Sequence, residues 1–141
     1  MEFTNVDRKV SSDEVSAVEA ELNLTFPKAL RSLFLEHNGG EPEPYVFQEE
    51  GLYTVVNETL PLVSEERGTA VRSYQLLVLE REIVGKNFFP FAVDAGGDYF
   101  FVDCEMPNAS VYFYRSDRPE NPLLNLNLSL EEFWECLQPE E

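Results

Sequence analysis

Residues 87 to 103 read NFFPFAVDAGGDYFFVD, two apolar runs separated by the loop DAGGD. Phe88 to Val93 and Tyr99 to Val102 are apolar at successive positions, as expected of inner strands covered on both faces. Gly96 and Gly97 permit the positive φ that a tight hairpin needs, so the stretch predicts a hairpin at the centre of a sheet. Its two acids, Asp94 and Asp98, invite chemical readings that must be tested against that plain one.

A calcium loop of the EF-hand kind places oxygen ligands at alternate positions through about twelve residues and ends in a bidentate glutamate. Here Ala95, Gly96 and Gly97 offer no side-chain ligand and the chain passes at once into a strand, so no dedicated metal site is expected. A phosphate cradle fails too. The loop lacks the GxxxxGK(S/T) spacing, precedes a strand rather than a helix, and carries negative charge where phosphate would lie.

Outward from the hairpin, both ends of the chain read as helical. Ser11 and Glu14 form a capping box before Val15, Val18 and Leu22, and Ser129 and Glu132 form a second before Leu130, Phe133, Trp134 and Leu137. LTFPKALRSLFLEHNGG predicts another helix, opened near Pro27 and closed by Asn38, Gly39 and Gly40. EPEPYVF and GLYTVVNETLPLV suit short outer strands. SEERGTAVRSYQLLVLEREI suits a third helix with Ala70, Tyr74, Leu77 and Val78 inward and a start blurred by Gly68. SVYFYRSD gives a further strand, and RPENPLLNLN is read as a connection to the last helix. The expected class is α+β: a single domain over residues 1–141, with a mixed, mostly antiparallel sheet of about five to six strands and about four helices.

Charge is the most informative number in the composition. The 27 acidic and 10 basic residues give a net charge of −17. Such a field repels phosphates and anionic lipid and speeds encounter with basic surfaces, so neither nucleic acid nor membrane is an expected partner. The acids are also unevenly placed. Asn38 to Glu66 holds seven glutamates (Glu41, Glu43, Glu49, Glu50, Glu58, Glu65 and Glu66) without one lysine or arginine, and Asn87 to Tyr114 is likewise free of both. The plain alternative is a solvated acidic surface that serves solubility. Whether residues 41–58 are ordered without a partner is not written in the sequence.

Catalytic signals are sparse. His37 is the only histidine, predicted at a helix end in a capping or packing role. Cys104 and Cys136 share no CxxC or CxxH spacing and read as reduced structural thiols. No GxSxG or HExxH pattern occurs. A paired-carboxylate hydrolase stays open, because a chain so rich in acids has many pairs whose separation only a fold can set. The N-terminus lacks a basic start followed by an apolar core, and no window approaches the roughly 20 apolar residues of a membrane span, so a cytoplasmic location is expected.

The capped first helix, LTFPKALRSLFLEHNGG, the extended middle, the third helix, NFFPFAVDAGGDYFFVD, VYFYRSD and SLEEFWECL together resemble the SUKH superfamily of cell-wall-regulator-like and immunity domains over nearly the whole chain. The resemblance implies framework roles for Asn38, Gly39, Gly40, Pro90, Phe91, Asp94, Gly96, Gly97 and Asp98, and transfers no catalytic residue and no cofactor. Relatives often carry asparagine or another small polar residue where Asp98 stands, so this loop is unusually acidic. It also implies a choice of functions: neutralisation of a polymorphic or contact-dependent toxin, often a nuclease, or an interaction scaffold of the cell-wall-regulator type. A basic toxin domain is the partner that also fits the charge. The candidate contacts are Glu41, Glu43, Glu49 and Glu50 with Tyr45 as an aromatic anchor, together with Asp94 and Asp98.

Overall fold

A computed structural model describes residues 1–49 and 51–140 of the chain. Strand β1 (Glu2–Thr4) is followed by helices α1 (Ser12–Leu22) and α2 (Lys28–Glu36), then strands β2 (Glu41–Glu43), β3 (Val46–Glu49) and β4 (Leu52–Thr59). Helix α3 (Ala70–Tyr74) continues as a π-helical turn over Gln75–Glu80. Strands β5 (Phe88–Asp94), β6 (Tyr99–Asp103), β7 (Ser110–Tyr114) and β8 (Leu123–Ser129) then lead into α4 (Leu130–Glu135). Strands β3 to β8 form one six-stranded antiparallel sheet in sequence order, and β1 pairs with β2 in a small second sheet. The class is α+β, and β5 and β6 occupy the sheet's centre as their apolar runs predict.

Pro90 stands within that centre opposite Phe101, and the register shifts immediately after it, between Pro90 and Ala92. A bulge is where a central strand tolerates a residue with no N–H to donate. Both predicted capping boxes form: the Ser11 and Ser129 hydroxyls accept from the backbones of Glu14 and Glu132, whose carboxylates return the bond. Thr69 settles the blurred start of α3 by accepting from the Arg72 backbone. Ala70, Tyr74, Leu77 and Val78 are buried as expected.

Three strands exceed the sequence-based expectation: EPEPYVF divides at Pro44 into β2 and β3, which pair in different sheets, and β8 and β1 are additional. Leu123–Ser129, whose sequence suits a connection, pairs instead with β7 and completes the sheet. Its Leu–Asn alternation is a strand period obscured by two nearby prolines and by asparagine's weak strand propensity. One asparagine, Asn127, takes a positive φ of 57° where the ladder is irregular. Strand β1 has three residues, too few to show any period.

One core joins these layers. Phe133 of α4 lies 5.4 Å from the Phe47 ring, 5.7 Å from Phe91, and 5.1 Å from both Phe100 and Trp134. Phe89 meets Phe26 just before α2, Phe34 of α2 and Tyr74 of α3 at 4.8–6.1 Å. Arg31 ties α2 to α1 through Glu19 at 2.6 Å and Ser12 and Ser16, while the other Glu19 oxygen accepts from the Phe26 backbone.

The α1 cap makes stability depend on acid. The Arg8 guanidinium, 2.6 Å away, and next the Ser11 backbone N–H hold the Glu14 carboxyl down at about 2, well below the usual glutamate value. A lowered folded-state value stabilises above the unfolded value of roughly 4.3 and is lost as pH falls towards about 2. Glu14→Gln keeps the box geometry and removes the charge. Thermal unfolding followed across that window should therefore fall less steeply with acidification in the variant than in the wild type, and parallel curves would refute the linkage.

Candidate protein-binding surface

The DAGGD loop is a hairpin whose acids are engaged from within. Asp94 Oδ1 accepts from the backbones of Gly96 (3.0 Å) and Asp98 (2.8 Å), and Oδ2 accepts from Thr54 Oγ1 (2.8 Å). Asp94 is only 9% exposed, and its carboxylate takes the place of turn backbone. Gly97 supplies the positive φ, at 92°, whereas Gly96 does not use one. Asp98 Oδ1 accepts from the Ser116 hydroxyl at 2.6 Å and fastens the hairpin to the connection after β7. Asp94 is expected both as framework and as a partner contact, and both of its carboxylate oxygens are engaged within the fold. Asp98 is half-buried beside it.

Asn38 is likewise architectural. It is 3% exposed, its amide donates to the Arg8 and Val63 carbonyls at 2.9 and 2.8 Å, and its oxygen accepts from the Leu62 backbone at 2.7 Å. The next residue, Gly39, has φ 77°, and a Cβ there would lie 2.9 Å from the Pro61 nitrogen. Gly40 approaches the Thr4 carbonyl as closely. Helix α2 ends in a knot of backbone that side chains would force apart.

The other predicted contacts gather at one corner. Glu41 and Glu43 are exposed on β2, and with Tyr45 they border a shallow depression of about 250 Å³ floored by Val55 and Val56. Glu41 accepts from the Asn5 amide. Partial burial, then the Glu140 and Glu43 carboxylates, raise the Tyr45 hydroxyl above its usual value, so it stays a neutral donor. Glu49 is exposed at the far end of β3 opposite Leu52. Glu50 lies outside the described residues. Residues 41–49 and 51–58 form strands β2, β3 and β4 and their turns.

Sequence reasoning missed the larger pattern, because it appears only when strands are assigned. All ten lysines and arginines lie in helices and connections, and no strand contains one. The two base-free segments are β2 to β4 and β5 to β7, and hydrogen bonding between β4 and β5 fuses them into one surface. Three of the arginines, Arg8, Arg31 and Arg67, are held in ion pairs with Glu14, Glu19 and Asp7.

The chain offers little to chemistry by comparison. A cleft of about 480 Å³ between α2 and α4 includes His37, Phe3, Trp134, Glu36 and Glu131. The His37 ring stacks 4.4 Å from Phe3, and among the described residues no hydroxyl, thiol or carboxylate hydrogen-bonds to it. Burial pushes the Cys104 thiol up to about 12 and Cys136 to about 11, so both are protonated and poor nucleophiles near neutral pH. Among the described residues no three His, Cys, Asp or Glu side chains gather to hold a metal, and no helix is long and apolar enough to cross a membrane.

No curated protein matches the sequence. The family model described as SMI1 / KNR4 family (SUKH-1) matches residues 9–136, from just before the α1 cap to the end of α4. With its folded length covered almost throughout, this chain belongs to the SMI1 / KNR4 (SUKH-1) family, whose members are generally non-enzymatic binding domains.

Proposed function

We propose that this protein is an immunity protein that binds a basic toxin domain, such as a nuclease, and neutralises it by covering the surface with which the toxin holds phosphate. The observation that carries the reading is the segregation of charge: a net −17 chain whose whole sheet is free of lysine and arginine. A toxin that grips phosphates presents clustered cations, and a base-free acidic surface meets them without like-charge contacts. Family membership supports a binding role of this kind and equally accommodates a regulatory scaffold with an endogenous partner. The proposed reading is cytoplasmic action without cofactor or catalysis.

The test is a pull-down with the tagged protein against the toxin C-terminal domain encoded beside its gene, at low and at high salt. Retention at low salt that weakens about tenfold or more at high salt is the expected result. Capture of an endogenous regulator instead, with the toxin domain unbound, would replace this reading by the scaffold one.

A further inference from the structure

The six-stranded sheet has two unequal faces. Side chains alternate across a strand, and the register places Phe47, Val56, Ala92, Phe100, Val102 and Phe113 together on the face that meets α4, every one of them buried. The same register puts Tyr53, Val55, Val93, Tyr99, Tyr112 and Tyr114 on the opposite face, exposed or half-buried around Pro90 and Phe101, which share that face and are buried at its centre, while Val46 is buried at its edge. Tyr53 is 62% exposed, more than any other large apolar side chain among the described residues. It stands on the part of β4 that projects past β5, whose last paired residue is Asp94 opposite Val56. Four of the six tyrosines thus share one face.

The geometry points to this tyrosine-bearing face as the docking surface for a basic folded protein, an inference that rests on the binding function proposed above and names its site. Three observations select that occupant. The first is composition: tyrosine gives large contact area with only two side-chain torsions to fix, and its ring stacks on guanidinium groups. The second is charge. No strand supplies a cation to this face, the register adds Glu58 and Asp103 to it, and its flanking arginines are turned elsewhere: Arg67 to Asp7 at 3.4 Å and to the Asn5 carbonyl, and Arg115 to the Asn121 carbonyl. The third concerns a second copy of the chain, which would bring an identical acidic surface and a further −17 against it, so self-association through this face is opposed by like charge.

The acidic corner at Glu41 and Glu43 flanks the face, and the hairpin acids hold its architecture from behind. The desolvated centre of the interface falls on the tyrosines, with carboxylates at the rim steering approach.

Ribonuclease A, a small basic protein, serves as a probe of defined chemistry. Titrated at low salt into the isotope-labelled protein, it should shift the backbone amides of Tyr53, Val93, Tyr99, Tyr114 and Leu123, leave those of α1 in place, and lose these effects at high salt. Gln48→Lys with Tyr53→Lys, both exposed on this face, should weaken binding about fivefold or more, whereas Glu21→Lys on α1, which changes net charge equally, should weaken it less than about twofold. Salt-dependent binding that maps to the Glu41 and Glu43 corner, or that both variants weaken alike, overturns the face and leaves the charge reading standing. An absence of salt-dependent binding overturns both.

Discussion

Phe133→Ala should destabilise the protein by about 3–5 kcal/mol, enough to remove a large part of the stability of an ordinary domain. Phe133 is fully buried and is the ring at which α4 enters the sheet, in contact with Phe47 on an outer strand, Phe91 and Phe100 at the centre, and Trp134 of its own helix. Truncation opens a cavity among rings fixed by strand pairing on one side and by the Ser129 cap on the other, so the surroundings can collapse only in part. Phe133→Leu, which refills most of the volume, should recover more than half of the loss. Urea unfolding followed by circular dichroism measures both, and a Phe133→Ala midpoint within error of the wild type would show that α4 is not anchored as described.

Asn38→Ala is expected to cost about 3 kcal/mol without opening a large cavity. Its three hydrogen bonds all go to backbone groups of distant segments: Arg8 before α1 and Leu62 and Val63 after β4. The Leu62 N–H is the serious loss, because Leu62 is 2% exposed and water cannot readily replace the acceptor. Thr59→Val is the control. Thr59 is as deeply buried, yet its hydroxyl makes one long bond of 3.3 Å to the Gly40 carbonyl, so a near-isosteric replacement should cost less than about 1 kcal/mol. Equal losses in the two variants would mean that burial, and not the amide's bonding, sets the value of Asn38.

Much of this architecture is written locally. Capping boxes, the Gly39 and Gly40 helix stop and the DAGGD hairpin are signals within a few residues of the structure they specify, so the sequence alone carries them. Strand β8 carried its signal too, but asparagine and proline propensities pointed the other way and pairing with β7 overrode them. Strand β1 had no signal to read, since three residues make a strand only because Pro42 and its neighbours lie opposite.

The candidate surface divides in the same way. Net charge and the base-free segments are facts of sequence, and they determine which partners the electrostatic field favours. Which acid faces solvent is not, because that depends on strand parity and on hydrogen bonds between residues far apart in the chain. Asp94 and Glu41 look alike in the sequence, yet Asp94 is buried beneath its own turn with Thr54, 40 residues away, while Glu41 stays exposed on a two-stranded edge. The tyrosines show the converse. Tyr53, Tyr99, Tyr112 and Tyr114 are scattered over three strands, and only the register of the folded sheet turns them to one side. The sequence by itself determined a capped α+β domain with an acidic field. Tertiary pairing decided which of its side chains that field surrounds, because a sheet gathers residues by register and not by their order along the chain.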